Sequence, residues 1–370
     1  MSTVSMDDLS AQRLVIAGPI PPPMGGMALQ TQQLLRCLMN EGLSVVLVPC
    51  NPELRPAFLN RIPVLRALLK LFAYRRHLHR ALRDADLVHV MANSGWSWYL
   101  FAVPAIHIAD KYGCAVIVNY RGGLAESFLA KAIKRVRYSM HRVDQLIVPT
   151  AFLQGVFARY RWPAEIIPNI LDERQFKPIE QVNPQLVITV TRNLEALYDN
   201  ASAIRALAEV KKQVPDAQLI LCGEGPERER LAALAAELDV LPSVRFAGRL
   251  PRPELLAVLA ATRVLLNPSR ADNSPNSLIE AMASGIPIVS TNVGGIPVLC
   301  QHQEHALLVE AGDHKAMAEA ILQLHHGEDL RQQLIDNGHK KAREFFWSSV
   351  RQRLYRVYQT ALTQRKQRHA

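Results

Sequence analysis

The stretch NPSRADNSPNSLIEAMASGIPIVSTNVGG, residues 267–295, constrains this chain more than any other. An apolar run at 263–268 leads into it and ends at Pro268, which reads as a strand. Ser274 is a good N-cap and Pro275 suits the first helical position, so a helix is expected through Leu278, Ile279 and Met282. Gly285 stops it. The run IPIVST at 286–291 has the unbroken apolar character of a buried parallel strand. Gly294 and Gly295 follow, where backbone can come close to a ligand.

The same stretch carries chemistry. At the expected helix start, the N–H groups of Asn276, Ser277 and Leu278 have no intrahelical acceptor, which favours an anion such as a diphosphate. Asp272 and Glu280 flank that site, eight positions apart. A carboxylate accepts hydrogen bonds from paired hydroxyls, as on a ribose or a hexose. Phosphate and polyol recognition therefore fall side by side.

The chain has 370 residues, enough for two domains, and 49% hydrophobic content supplies two cores. A formal charge of +10 suits an acidic partner, whether nucleotide, nucleic acid or anionic membrane. No RNP motif, zinc finger or basic zipper is present, so no nucleic-acid partner is expected. Five scattered cysteines without C-x-x-C spacing read as reduced, mostly buried thiols of a cytoplasmic protein. The polar, acidic first residues are no signal peptide, and the most apolar stretch, 96–109, is below spanning length.

The chain alternates strand and helix patterns. A strand at 13–18, a loop at 19–27, a helix at 28–42 and a strand at 43–48 form an opening Rossmann-like unit. Gly25 and Gly26 sit where the loop meets the helix; a plain turn pair and a phosphate loop fit equally, since G-x-G-x-x-G is absent. Residues 56–83 carry seven Lys and Arg and no acid. Ile62, Leu65, Leu68, Leu69 and Phe72 follow helical spacing there. A basic amphipathic helix for an anionic membrane surface and an ordinary helix with a solvated basic face are both open. Strands are expected at 86–91, 115–120 and 145–150, then at 186–191 and 217–222 in a second domain. An amphipathic helix is expected at 345–362, with a frayed basic tail after it.

Asp272-x7-Glu280, then Ala281-Met282-Ala283-Ser284-Gly285, then Gly294-Gly295, resembles the signature of the family-4 glycosyltransferases. These are retaining enzymes of the GT-B fold that use nucleotide sugars; their first acid is usually Glu, where this chain has Asp272. The stretch at 165–178 is similar to the family's interdomain segment and 305–313 to its Gly-Leu-Leu-Val-x-x-Gly-Asp motif. The resemblance implies an α/β chain of two Rossmann-like domains facing each other across a cleft, 1–168 for the acceptor and 169–345 for the nucleotide sugar. Residues 346–370 would form a helix returning to the first domain. It implies that Arg192 contacts the donor diphosphate; the Lys usual five residues later is absent, with Leu197 and Tyr198 there. Gly223 and Gly225-Pro226 match the family's Gly-x-Gly-Pro turn, and Gly25-Gly26 its donor-side loop. Arg121 stands where the family usually has a His near the donor sugar; an Arg holds that corner as a cation but is no base at neutral pH. His89 matches a frequent Val-His, although a lone His at a strand end is more often structural.

The expected function is therefore a retaining hexosyltransferase, with Arg192 and the start at Asn276–Leu278 on the leaving diphosphate. Glu280 is expected on the ribose and Asp272 on the donor sugar. No Asp-x-Asp pair is present, and the resemblance implies neither metal nor cofactor beyond the donor, UDP in preference to GDP. The basic first domain suggests a glycan or polyprenyl-linked acceptor for surface polysaccharide, handled at the inner face of the cell membrane. A GT-B sugar-nucleotide epimerase or hydrolase, and a nucleotide-sugar-binding protein without turnover, are the alternatives.

Overall fold

The computed structural model describes residues 7–22, 25–52, 63–176 and 184–369. It divides into two compact units, one of Met1–Ile170 with Trp347–Ala370, the other of Leu171–Phe346. Each is built on a six-stranded, wholly parallel sheet.

The first sheet contains β1 (Arg13–Gly18), β2 (Ser44–Pro49), β3 (Leu87–Ala92), β4 (Ala115–Tyr120), β5 (Gln145–Val148) and β6 (Glu165–Ile166), in the order β2-β1-β3-β4-β5-β6. The two-residue β6 was not legible as a strand and lies in the segment expected to be a linker. Parallel strands are covered on both faces, and the side chains alternate between two cores. Val116, Val118 and Tyr120 of β4 enter one core, with Tyr74, Leu78 and Trp98. Ala115 and Ile117 enter the other, with Leu34, Leu38, Val350 and Tyr355.

The helix Trp347–His369 closes the second of these faces, so the chain returns to the first unit as expected. It does not fray at its basic end. Arg365, only 5% exposed, donates to Asp144 at 2.8 Å and Asp110 at 2.7 Å, and Arg368 pairs with Asp144 at 3.1 Å. Asp144 also accepts from the Val116 backbone, so the tail is tied to the strand system itself. A second tie lies deeper. Tyr358 meets His89 Nδ1 at 2.9 Å, and Asn119 Nδ2 donates to His89 Nε2 at 2.9 Å.

The second sheet contains β7 (Val187–Val190), β8 (Gln218–Leu221), β9 (Val244–Phe246), β10 (Val264–Asn267), β11 (Ile288–Thr291) and β12 (Leu307–Val309), ordered β12-β11-β10-β7-β8-β9. The order reverses between β7 and β10, which is where open parallel sheets bind ligands, beyond the strands' carboxyl ends. Leu171 and Phe346, the first and last residues of this unit, are bridged, and Leu171 N–H donates to Phe345 at 2.7 Å. All five cysteines are buried thiols outside any disulfide. Among the described residues no helix is long and apolar enough to cross a membrane.

Burial holds His89 neutral, lowering its pKa from 6.5 to about 3. The unfolded chain therefore binds a proton below about pH 6.5 that the folded chain refuses, and stability falls as pH drops toward 3. The slope from this one group approaches about 1.4 kcal/mol per pH unit. A His89→Gln variant is expected to show a shallower loss of stability between neutral pH and pH 4 in denaturant melts; equal slopes would contradict the assignment.

Candidate functional site

Arg192 lies just past β7, and its Nε donates to Asn267 Oδ1, the last residue of β10, at 3.2 Å. The guanidinium thus spans the strand reversal. Asn267 is itself fixed: Ser269 Oγ donates to it at 2.7 Å, and its Nδ2 donates to Ser290 Oγ at 3.0 Å. The Arg192 guanidinium is ion-paired with Asp272 Oδ2. Tyr198 stacks on it with the ring centre 4.8 Å away. Tyr198, one residue past the place that lacks the usual Lys, is thus an aromatic support for Arg192. Burial lowers the Arg192 pKa, opposed by Tyr198 and Glu280, and the group remains a cation at neutral pH.

The glycines have a backbone explanation. A Cβ on Gly223 would run into the Arg192 carbonyl, and one on Gly225 into that of Leu194. Leu194 N–H donates to Glu224 at 3.0 Å, so the turn after β8 clamps the loop that carries Arg192. Gly294 and Gly295 serve the other partner. A Cβ at either would meet the carbonyl of Asp272 or of Asn273, and Gly295 N–H donates to Asp272 O at 3.0 Å. In this structure the close approach expected of a ligand is made by the chain's own backbone at Gly223, Gly294 and Gly295.

The helix begins one residue later than expected. It spans Asn276–Ser284, with Pro275 as the N-cap in place of Ser274, and Gly285 closes it at φ 74°. The Leu278 amide turns back to Pro275 O at 3.1 Å. Among the described residues, the buried Ser277 hydroxyl has no hydrogen-bond partner. A buried hydroxyl without an acceptor or donor is costly, and a ligand at the helix start would satisfy it.

Glu280 faces Arg252, with Oε1 accepting from Nη1 at 2.9 Å. The Arg252 guanidinium stacks on Phe176 at 4.3 Å. Burial raises the Glu280 pKa, against the pull of Arg252 and then Arg192. Each carboxylate of the expected pair is thus matched by one arginine. Arg252, Asn267 and Phe176 were not singled out from the sequence; their roles depend on contacts 28 to 76 residues away, which no local pattern displays.

Gly25, Gly26 and Arg121 belong to the first unit. Gly25 is the N-cap of the helix Gly26–Asn40, and a Cβ there would meet nothing, so packing does not demand the glycine. Residues 23–24 of that loop lie outside the described residues. Arg121 follows β4 and donates to Asn119 and Asn169.

Two family models match consecutive parts of the chain. Residues 24–175 match Glycosyltransferase Family 4, and residues 172–341 match Glycosyl transferases group 1. Over 180 residues the chain is 32% identical to a D-inositol 3-phosphate glycosyltransferase of Corynebacterium jeikeium, covering 47% of this chain and 43% of that protein. It is 28% identical over 230 residues to the lipopolysaccharide core biosynthesis glycosyltransferase LpsE of Rhizobium meliloti, covering 60% and 65%. The chain thus spans about half the length of the curated relatives it matches. The crystal structure of Anabaena HepE in complex with UDP and glucose superposes with TM-score 0.71 at 17% identity, over 94% of this chain and 99% of that one. The fold is GT-B. The chain belongs to the family-4 glycosyltransferases.

Proposed function

We propose that the protein is a retaining, metal-independent glycosyltransferase. It moves a hexose-type sugar from a nucleotide-diphosphate sugar, UDP in preference to GDP, to a glycan or lipid-linked glycan in surface polysaccharide assembly. One observation carries the reading: Arg192 is held at the strand reversal of the second unit, where the unsatisfied Ser277 hydroxyl lies at a helix start within the same signature stretch. That is a receptor for a phosphorylated ligand. The solved neighbour holding UDP and glucose and the lipopolysaccharide-core relative support the donor and acceptor classes.

Breaking the anomeric C–O bond builds an oxocarbenium-like centre and a diphosphate leaving group. Catalysis is then chiefly positioning and stabilisation of that leaving charge. Arg192 and the helix start at Asn276 and Ser277 take the diphosphate, whereas the Leu278 amide, expected there as well, is engaged by Pro275 O. Glu280, oriented by Arg252, accepts the ribose hydroxyls, and Asp272 takes hydroxyls of the transferred sugar. The donor's dianion must first draw Arg192 away from Asp272, so the ion pair is the resting state of the site. Gly223, Gly294 and Gly295 contribute by seating the loops that hold Arg192 and Asp272; Gly25 and Gly26 supply the donor-side loop of the first unit.

A screen of nucleotide sugars by thermal denaturation tests this. One UDP-sugar is expected to stabilise the protein by about 2.7 kcal/mol at a hundredfold excess over its dissociation constant. The shift is expected to vanish in Arg192→Ala and to shrink in Glu280→Ala. No stabilisation by any nucleotide sugar would sink the proposal.

The lipid-linked acceptor is supported by the helix Pro63–Leu82. Tyr74, Leu78 and Leu82 face the core, whereas Leu68 and Phe72 are 60% and 67% exposed. Arg66, Arg75, Arg76, Arg80 and Arg83 are exposed around them, and none has a carboxylate partner among the described residues. The part of the expected basic segment at 56–62 lies outside the described residues. An apolar ridge flanked by unpaired arginines suits an anionic membrane surface, at the inner face of the cell membrane. Co-sedimentation with vesicles containing phosphatidylglycerol is expected to exceed that with phosphatidylcholine alone, and to drop in a Leu68→Ser, Phe72→Ser variant. Equal pelleting with both lipids would contradict it.

A further inference from the structure

We propose that Arg121 is a receptor for a second oxyanion on the substrates, distinct from the donor diphosphate; the idea rests on the transferase reading above. Arg121 is the first residue past β4, on the carboxyl edge of the first sheet. Its amide donates to Ala92 O at 2.9 Å, which pins the loop start against the end of β3. The next residue is locked as well: a Cβ on Gly122 would strike the side chains of Asn93 and Ser94.

The guanidinium is held by neutral groups alone. Nε donates to Asn119 Oδ1 at 3.0 Å and Nη1 donates to Asn169 Oδ1. Asn119 cannot turn round, because its Nδ2 donates to His89 Nε2. His89 is uncharged, and its Nδ1–H then faces the Tyr358 hydroxyl. This hydrogen-bonded line runs from the terminal helix to Arg121 and contains no carboxylate. Among the described residues no acid pairs with Arg121, and its Nη2 has no partner.

A guanidinium sunk among neutral groups without a counter-charge costs several kcal/mol unless an anion completes the set. Burial has brought its pKa down to about 10, so it is still a cation at neutral pH. The residue keeps some exposed surface, so an open Nη edge is offered from a fixed position. Other arginines near strand ends are neutralised: Arg192 by Asp272 and Arg270 by Asp199 at 2.9 Å. An unpaired, immobile fork is suited to a carboxylate or phosphate. The oxyanion is either a phosphate or a carboxylate on the acceptor.

The test is calorimetric, on the full chain and on R121Q and R121K. In one arm inorganic phosphate is titrated into protein saturated with UDP, which occupies the diphosphate site of the second unit. In the other, acetate replaces phosphate. An acceptor phosphate predicts phosphate binding under UDP that weakens at least tenfold in R121Q and less in R121K. An acceptor carboxylate predicts acetate binding under UDP that R121Q abolishes. Ligand-free R121Q is expected to melt at or above the wild-type temperature, because an uncompensated charge is removed; a strut holding Asn169 would melt lower. UDP binding with phosphate and acetate affinities unchanged in R121Q overturns this proposal alone, whatever the melting temperature. Failure of the wild type to bind UDP overturns the preceding reading and this one with it.

Discussion

The second unit depends on keeping one guanidinium charged and still at the point where its sheet reverses. Arg192 meets that requirement through four different contacts. Asn267 accepts from it, Tyr198 supports its face, Asp272 neutralises it, and the 223–225 turn clamps its backbone. Much of the signature sequence serves this arrangement. The glycines allow two pairs of loops to approach at backbone distance, and Ser269 and Ser290 fix the amide of Asn267. A partly buried ion pair contributes little net stability, because desolvation offsets most of its attraction. Its value here is that the partner is exchangeable: an incoming dianion can replace a monoanionic carboxylate.

The two units solve the same problem of burying charge in opposite ways. In the second, each key arginine has an acid. In the first, the arginine at the strand edge has only amides, while the buried acid Asp144 is given to Arg365 and Arg368 of the terminal helix. That helix does structural work beyond covering apolar surface. Its basic end satisfies Asp144, and its Tyr358 sets the side-chain line that ends at Arg121.

Much of the fold was legible because parallel strands buried on both faces are unbroken apolar runs, as in LVITVT and AVIVNY. The signature stretch was legible because its helix, strand and glycine pair are close in sequence. What escaped depends on distance along the chain. Arg365 reads as a frayed tail residue until Asp144, 221 positions away, is brought beside it. The glycines read as ligand contacts until the neighbouring loops appear. β6 has only two residues, too few for a pattern. The helix start moved from Ser274 to Pro275 as N-cap, a shift of the size that capping residues in series permit.

The central claim is that Asp272 holds Arg192 until a diphosphate takes its place. Titration calorimetry of UDP against the wild type and Asp272→Asn tests it most directly, because UDP carries the diphosphate without the sugar that Asp272 would otherwise contact. Removing the competing charge while keeping the side-chain shape is expected to tighten UDP binding several-fold. Equal or weaker binding of UDP by Asp272→Asn, with its melting temperature preserved, would contradict the account.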